Sequence, residues 1–367
     1  MSHNLQLTGA EVDARMEAAG NHVKYTDPNH GVLIVMRDTL RHAVESETGG
    51  RLTVLYDDAG NPNVMHVLPR FRYEDLGFST EMGTGTANAF DLGAGSFRSE
   101  IFIAAYQAVS VGGVACSLPH QTPWRSINYD DSKSACTSKG SGWHLMTMHE
   151  WAAVALWCMA NGLQPRGNTD HGRAHDAPHE VGTRQDGDTW PPGDSSGIGN
   201  ILTGSGPAAW RHDNTASGIA DLVGNVWEWQ DGLKLVEGEI FANPDNDHTL
   251  AEASWPTAGR FVRGDINPGT NTLAGSGSAA ESTEFNTWSN TPLEAADLTS
   301  QLLRRLLVEP AGISPQGGFW ARDFSERLPL RGGARSNGGL AGLAALRLNT
   351  SRGTAYSSIG FRPAFAL

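Results

Sequence analysis

The stretch from Gly162 to Gly218 limits what this chain can fold into more than any other part of the sequence. It is rich in Gly, Pro, Asp, Asn and Ser, and it lacks the apolar periodicity of a helix or a strand. Such a composition predicts long surface loops held by hydrogen bonds between side chains and backbone. A second loop-rich stretch runs from Leu235 to Ser325, and an amphipathic helix is predicted within it over Leu293 to Val308. We therefore expect a loop-rich α+β protein.

The regular elements that the sequence predicts are short and scattered. Thr147 takes the N-cap position of a helix and Glu150 follows at the third helical position, which is a capping box, and apolar spacing continues to Met159. A shorter helix is predicted over Asp130 to Ser138, with Asp130 as its cap. The alternation over Ile101 to Val111 predicts a strand.

Residues 1–90 are predicted to form a small N-terminal α+β domain. The spacing over Val32 to Val44 suits a helix, and Arg51 to Leu68 alternates at period two on both sides of a turn, which predicts a hairpin. The polar bridge from Ser79 to Gly95 has too little apolar content to belong to a core. We therefore expect a boundary there and a second domain over residues 91–367.

Charge and apolar content exclude two classes of partner. The 367 residues include 27 Lys and Arg against 40 Asp and Glu, a net charge of −13. A protein held to phosphates needs the opposite sign, so we expect no nucleic acid. The sequence shows no apolar stretch long enough for a membrane span and no apolar region of a signal peptide. We therefore expect neither membrane insertion nor a secretory signal.

Three histidines in the first long loop are spaced like metal ligands. His171, His175 and His179 lie four residues apart, which on a helix would place them on one face as a zinc site. Gly172 and Pro178 argue against a helix. The sequence favours a solvated loop, with zinc as the alternative.

Four short motifs carry a family resemblance. They are Trp143-His-Leu-Met-Thr-Met-His-Glu-Trp, Asp221-Leu-Val-Gly-Asn-Val-Trp-Glu-Trp, Leu330-Arg-Gly-Gly and Gly360-Phe-Arg-Pro. In this order they resemble the formylglycine-generating enzyme and sulfatase-modifying factor family over roughly residues 96–367. The resemblance implies a C-type-lectin-like fold for the second domain.

The cysteines argue against the chemistry of that family. The resemblance implies a copper-dependent oxidase with two cysteines after the Arg-Gly-Gly block, but Arg331 to Leu367 contains no cysteine. Thiolate is the soft ligand that binds Cu(I), and neither Ser nor Asn replaces it. The cysteines that exist, Cys116, Cys136 and Cys158, are expected to be buried thiols. We expect no copper and no enzyme of this type; an oxidoreductase that uses other ligands on the same scaffold is the alternative.

The C-terminal segment carries a second resemblance. Its Arg331-Gly-Gly start, its step from Asn337 to Gly342 and its Ile359-Gly-Phe-Arg end resemble the variable region of proteins diversified by diversity-generating retroelements, which include phage tropism determinants. In such systems template adenines are replaced at random, and Asn codons of the AAY type then never yield Lys, Glu, Gln, Met or Trp. Residues 331–362 contain none of these five. A short Gly- and Ala-rich tail that lacks them by chance is the alternative.

The resemblance implies which residues of this segment bind a ligand. They are Ala334, Ser336, Leu340, Arg347, Thr350, Thr354, Tyr356 and Ser357. Gly339, Gly353, Ala355 and Ser358 are weaker candidates. We expect Tyr356 and Arg347 to be anchors, because Tyr and Arg dominate binding hot spots. The expected scaffold between them is Gly332, Gly333, Gly342, Ile359, Gly360, Phe361 and Arg362.

These expectations describe a non-catalytic protein that binds a protein or glycan on a target surface. An invariant structural component of a phage tail is a further alternative. Without a predicted signal peptide, we expect a phage virion or an intracellular location.

The first family resemblance also implies a calcium site. The oxygen ligands would be the side chain of Asp221, the carbonyls of Gly224 and Val226 and the carboxylate of Glu228. Hard oxygen ligands of this kind suit Ca²⁺. Alternatively, the two tryptophans of this motif are core residues and Glu228 accepts a structural hydrogen bond.

Overall fold

The computed structural model describes residues 22–27, 31–36, 38–278, 280–295, 298–310 and 316–367, the first two ranges by their backbone alone. The chain forms two compact units, Met1–Gly50 and Arg51–Leu367.

The N-terminal unit contains a hairpin and a helix. Strand β1 (His22–Asp27) pairs antiparallel with β2 (Gly31–Met36), and helix α1 spans Thr39–Thr48. The side chain of Asp38 caps α1 by accepting a hydrogen bond from the Arg41 amide at 2.9 Å. The helix predicted over Val32 to Val44 therefore begins only at Thr39, because the β-branched run before it forms a strand.

The larger unit is built mainly of strands. Its first strands are β3 (Leu52–Tyr56), β4 (Pro62–Pro69), β5 (Glu100–Ala104), β6 (Ala108–Val111), β7 (Val114–Ser117) and β8 (Trp143–Leu145). Then come β9 (Trp227–Trp229), β10 (Leu233–Val236), β11 (Glu239–Ala242), β12 (Thr257–Asn267), β13 (Thr270–Ala274) and β14 (Thr283–Thr287). The last are β15 (Gly318–Arg322), β16 (Glu326–Gly332), β17 (Gly342–Thr350), β18 (Ile359–Phe361) and β19 (Pro363–Phe365).

Helices are few in the larger unit. The α-helices are α2 (Ser79–Met82), α3 (Tyr129–Thr137), α4 (Met148–Ala160) and α5 (Gln301–Arg305). Short 3₁₀ turns are found at Tyr73–Leu76, Asn88–Phe90, Gly187–Thr189, Ala208–Trp210, Glu252–Ser254, Trp288–Asn290 and Gly338–Leu340. None of the described helices has the length and apolar character needed to cross a bilayer.

The strands of this unit form two main sheets and a small hairpin. The larger sheet has the order β13-β12-β11-β10-β16-β17-β15-β14, and β9 pairs with both β16 and β18. The second sheet has the order β3-β4-β5-β19-β8, and β6 pairs with β7. The C-terminal segment therefore runs through the larger sheet up to β18 and then crosses into the second sheet at β19.

The domain boundary predicted near residue 90 moves to Gly50. The predicted hairpin forms as β3 and β4, but β4 also pairs antiparallel with β5, with Met65 opposite Ala104. Residues 51–90 therefore belong to the larger unit. The polar bridge also contributes to the core, since Ala89 and Phe90 are buried.

Helix α4 forms the centre of the largest core cluster and confirms the predicted capping box. The Thr147 side chain accepts from the Glu150 amide at 3.1 Å, and the Glu150 carboxylate accepts from the Thr147 amide at 2.9 Å. The Trp151 indole donates to the Leu343 carbonyl at 2.8 Å, which ties the helix to β17. The core cluster around α4 is thus in direct contact with β17.

Three further predictions are corrected in detail. The strand predicted over Ile101 to Val111 divides into β5 and β6, and α3 is capped by Asn128, whose side chain accepts from the Asp131 amide at 2.9 Å. The helix predicted over Leu293 to Val308 is reduced to α5. The long loop from Gly162 to Gly218 is confirmed, with only two 3₁₀ turns among its described residues. The protein is a mixed α+β structure, rich in sheet and in loops.

Candidate functional site

The predicted scaffold of the C-terminal segment is buried and held by backbone contacts. The Arg331 side chain lies wholly inside and donates to the carbonyls of Leu306 and Leu307 at 2.7 and 3.0 Å. Gly332 has a φ of +88°, and a Cβ there would lie 2.4 Å from the Leu222 carbonyl oxygen. Only glycine fits that backbone position without a shift of the neighbouring chain.

Arg362 ends the scaffold with a buried ion pair. Its guanidinium donates to the two carboxylate oxygens of Glu228 at 2.9 and 2.8 Å. It also donates to the carbonyls of Ala104 and Ala220, each at 2.8 Å. All of these contacts lie where the chain passes from β18 to β19, so Arg362 joins the two main sheets.

Gln107 lies among the residues predicted to hold calcium. Its amide nitrogen donates to the Asp221 carbonyl at 3.1 Å and to a Glu228 carboxylate oxygen at 2.9 Å. The Asp221 carboxylate accepts from the Gly204 amide at 2.7 Å, and burial raises its pKa. Hydrogen-bond donors, including the Arg362 guanidinium, thus face these oxygens. The four residues do not fit a calcium ion in this arrangement, because Ca²⁺ needs several oxygens that are free to converge on it.

Most of the predicted ligand-binding residues reach the surface. Ser336, Tyr356 and Ser357 are exposed, with 58% of Tyr356 accessible, while Leu340, Arg347 and Thr354 are half-buried. They lie on a turn at Ser336, on the 3₁₀ turn at Gly338–Leu340, on β17 and on the loop over residues 351–358.

Ala334 and Thr350 differ from the other predicted ligand-binding residues, because both are buried. They are only 2% and 3% exposed. Ala334 packs in the core cluster that contains Trp227, and Thr350 lies opposite Leu328 in the pairing of β17 with β16. A side chain enclosed in this way cannot contribute to a contact surface.

Arg347, one of the two expected anchors, lies beside the half-buried Trp320 of β15. Arg347 is in register with Trp320, and burial lowers the pKa of Arg347 while the nearby Tyr356 acts in the opposite sense. The Trp320 ring lies 5.3 Å from Trp227 and 4.9 Å from the exposed Phe285. Aromatic rings of the fixed part of the chain therefore extend the surface formed by the C-terminal segment.

A network of ion pairs fixes the loop over residues 351–358. The Arg352 guanidinium donates to Glu326 at 2.9 and 3.0 Å, to Glu252 at 2.7 Å and to Asp130 at 2.8 Å. The hydrogen bond to Glu326 raises the pKa of Arg352, with Glu252 and Asp130 adding to it. Arg352 thereby anchors a loop whose other side chains are free to face solvent.

Two cavities adjoin the C-terminal segment. One, of about 490 Å³, is lined by Trp124, Asn128, Asp131 and Ala355 among others. The other, of about 270 Å³, lies between the first long loop, including Arg166 and His175, and the backbone at Ala341–Gly342. Both are of a size that accepts side chains or small groups of a partner.

None of the cysteines has the features of a reactive thiol. Cys116, Cys136 and Cys158 are all buried, and burial raises the pKa of each thiol. A raised pKa keeps the thiol protonated and removes the thiolate that metal binding or attack needs.

The histidines of the first long loop do not converge. The zinc alternative would need them grouped, and no cluster of three His, Cys, Asp or Glu side chains in the described part of the chain has the geometry to hold a metal ion. His171 lies in irregular backbone with a φ of +45°.

Comparisons with known proteins find likeness in structure alone. No family model matches the sequence, and no curated protein is detectably similar to it. Among the solved structures that the chain resembles is PvdO from Pseudomonas aeruginosa, with 14% identity and a TM-score of 0.34 over 86% of this chain and 98% of that chain. Another is Treponema denticola variable protein 1, with 11% identity and a TM-score of 0.33 over the same shares, 86% and 98%. Both likenesses are distant.

Several residues at this surface carry no signal in the sequence. Trp124, Arg125 and Trp320 come from parts of the chain far from residues 331–362, and only the folded structure brings them beside it. Arg352 lies within the segment, but its role could not be predicted from the sequence, because its partners come from three distant elements.

Proposed function

We propose that this chain is a non-catalytic binding protein with a C-type-lectin-like fold. Its contact surface is the exposed part of residues 331–362, and a diversity-generating retroelement changes the residues there. The target is a protein or a glycan on a surface.

One observation carries the proposal: burial separates the segment into two classes of residue. Leu346, Leu348, Ile359 and Phe361 are completely enclosed, as is Arg362. The exposed side chains lie between them, on turns and on one loop. Substitutions at exposed positions leave packing intact, whereas a substitution in a packed core lowers stability even when it alters one methylene group. This is the arrangement that a changeable surface requires.

Residues from outside the segment extend the proposed contact surface. The proposed variable residues share the surface with Trp320 and Phe285, and Arg347 and Tyr356 lie within it. Trp, Tyr and Arg are the residue types that most often supply binding energy.

The buried thiols support a binding protein over an oxidoreductase. Copper loading followed by turnover of a cysteine-containing sulfatase peptide tests the enzyme directly. Turnover above a buffer control containing copper would overturn the proposal.

The DNA around the gene tests the variable surface. We expect a nearby repeat that differs from the codons of residues 331–362 only at adenines. The structure makes the test sharper, because the differences should fall at the exposed or half-buried positions and avoid the enclosed ones. The expected positions are Ser336, Leu340, Arg347, Thr354, Tyr356 and Ser357. The absence of such a repeat would contradict the proposal and favour an invariant structural protein. Differences concentrated at Ala334, Thr350 and the scaffold would contradict the proposed contact surface.

A further inference from the structure

Two arginine side chains beside the proposed contact surface have enclosed nitrogen atoms without a partner. The Nε of Arg125 and the Nε and Nη1 of Arg335 are shielded from solvent and make no hydrogen bond to the described residues. Buried polar groups in folded proteins are nearly always hydrogen-bonded, and a guanidinium is the group for which an unmade bond matters most. These three nitrogen atoms are therefore donors that could bind an acceptor.

The backbone holds both arginines in place. The residues on either side of Arg125 are fixed, since the Trp124 amide donates to the Ala108 carbonyl at 2.7 Å and the Ser126 amide donates to the Ile359 carbonyl at 3.0 Å. The Arg335 amide donates to the Asn225 carbonyl at 3.2 Å. The main chain at both arginines is therefore fixed by hydrogen bonds to neighbouring segments.

His171 lies beside Arg335. Its amide donates to the Arg335 carbonyl at 2.8 Å, and its Nδ1 is also enclosed without a partner. A Cβ placed on Gly199 would lie 2.7 Å from that Nδ1 and 3.3 Å from the Arg335 Cδ, so the imidazole and the arginine stem lie over the same glycine. Trp124 and Ala334, the neighbours of the two arginines in sequence, pack against one core cluster.

The charges around the site leave it positive. Burial lowers the pKa of Arg335, and the charges of Arg125 and Arg184 lower it further. Arg184 is neutralised by Asp186, which accepts two hydrogen bonds of 2.9 Å from it.

The acidic groups near His171 are also engaged. Asp170 pairs with Arg173 at 2.7 Å, and Asp194 accepts from the Ser196 amide at 2.8 Å. In the described part of the chain no carboxylate forms an ion pair with Arg125 or Arg335. The two guanidinium groups thus form a basic site in a protein whose net charge is −13.

We infer that Arg125 and Arg335, with the His171 ring, bind a carboxylate group of the target. The planar fork of a guanidinium matches the two oxygens of a carboxylate, and a partly dry site strengthens the hydrogen bonds. Arg335 lies between Ala334 and Ser336 in the proposed variable segment, whereas Arg125 and His171 lie outside it. This inference rests on the proposed function for the identity of the ligand as part of a target, but the site itself is built from residues on both sides of the segment.

Nuclear magnetic resonance of the arginine Nε–H groups of the full chain tests the site. Acetate is the probe, with sulfate and chloride at matched ionic strength as competing anions. We expect acetate to shift the Arg125 and Arg335 signals saturably, and chloride to leave them in place. In Arg335→Gln the affinity for acetate should fall at least about ten-fold, as expected for the loss of charge-assisted hydrogen bonds. Arg72→Gln, which removes an exposed arginine paired with Glu74, is the matched control and should bind as the parent does.

A thermal measurement guards against a variant that misfolds. Because an enclosed guanidinium without a partner is unfavourable, Arg335→Gln should melt no lower than the parent in buffer without acetate. Acetate should raise the melting temperature of the parent but not that of Arg335→Gln. No saturable shift with acetate, or a shift with sulfate alone, would overturn the carboxylate site. The search for a template repeat in the DNA is independent of acetate binding. Its failure would contradict the proposed function but would leave the acetate result unchanged.

Discussion

Arg362 and Glu228 form a buried, two-pronged ion pair in which neither side chain is more than 1% exposed. Glu228 lies on β9 of the larger sheet, while the Arg362 guanidinium also donates to the Ala104 carbonyl on β5 of the second sheet. One arginine thus connects the C-terminal scaffold to both sheets and compensates a carboxylate that the sequence predicted to hold calcium.

Removal of this arginine should destabilise the protein severely. We expect Arg362→Met to lower the free energy of unfolding by about 3–5 kcal/mol, because it leaves the Glu228 carboxylate buried without a charge to compensate it. Urea unfolding followed by tryptophan fluorescence measures the loss. Arg72→Met is the matched control, since its exposed ion pair contributes at most about 1 kcal/mol. A loss in Arg362→Met as small as that of the control would show that the ion pair is not structural.

Calcium chelation should leave the thermal stability unchanged. Arg362 and Gln107 already donate to the Glu228 carboxylate, one of the groups that the family resemblance implies as cation ligands. A ligand that binds the folded state raises the melting temperature, so a structural ion would reveal itself on removal. Calorimetry with EDTA, and again after added CaCl₂, makes the comparison. A melting temperature that falls with EDTA and recovers with calcium would restore the calcium site implied by the family resemblance.

Replacement by alanine should destabilise the protein at Gly332 but have little effect at Gly353. Gly332→Ala should destabilise by about 1–3 kcal/mol from its backbone conformation alone, and the clash with the Leu222 carbonyl adds to this. At Gly353 nothing lies within 4 Å of an added Cβ, so Gly353→Ala should change stability by at most about 1 kcal/mol. Urea unfolding of the two variants decides, and equal effects would mean that scaffold and loop are not distinct.

Side-chain volume should be tolerated at Ser336 but not at Ala334. Ala334→Tyr inserts a ring into the packed cluster around Trp227 and should lower stability by about 1–3 kcal/mol or more. Ser336→Tyr places the same ring on the surface and should stay within about 0.5 kcal/mol of the parent. If Ala334→Tyr unfolds like the parent in urea, Ala334 belongs to the variable surface after all.

Acid should weaken the fold through His212. Burial lowers the pKa of His212, as does the neighbouring His66, whose ring centre lies 4.6 Å away, and the Ile219 amide donates to its Nδ1 at 2.8 Å. The unfolded chain takes up this proton below its ordinary pKa of 6.5, whereas the folded chain does not. Stability is therefore complete above pH 6.5 and falls as the pH is lowered, by up to about 1.4 kcal/mol per pH unit for one such group.

His212→Asn isolates that effect. The Asn side-chain oxygen can accept from the Ile219 amide as the imidazole nitrogen does, but it does not titrate. We expect the variant to lose less stability than the parent between pH 6.5 and pH 4.5, in urea unfolding at a series of pH values. Parallel curves for the two proteins would exclude His212 as a source of acid sensitivity.

The sequence predicted those elements whose signals are local. The capping box at Thr147 and Glu150 and the alternation of the β3–β4 hairpin each depend on residues close in the chain, and both are confirmed. The long loop after Gly162 is confirmed for the same reason, because its composition leaves no periodic face to bury.

The errors concern pairings and packing between distant parts of the chain. The alternation of β4 says which face is apolar, but it does not say that β5 will add a third strand and remove the predicted domain boundary. Leu303, Leu306 and Leu307 are buried as their spacing implied, yet the helix begins only after Ser300, whose side chain accepts from the Leu303 amide at 3.4 Å. Arg125 could not be placed beside Arg335, since 209 intervening residues hide their proximity.

The loop over residues 351–358 begins after β17 and ends at β18, and both strands are held by backbone hydrogen bonds to β16 and β9. Such bonds are made by atoms that every residue possesses, so a new set of loop side chains inherits the same path. A laboratory library randomised over this loop, with Arg352 kept, would therefore start from mostly folded members. The same framework can therefore carry many different sets of loop side chains.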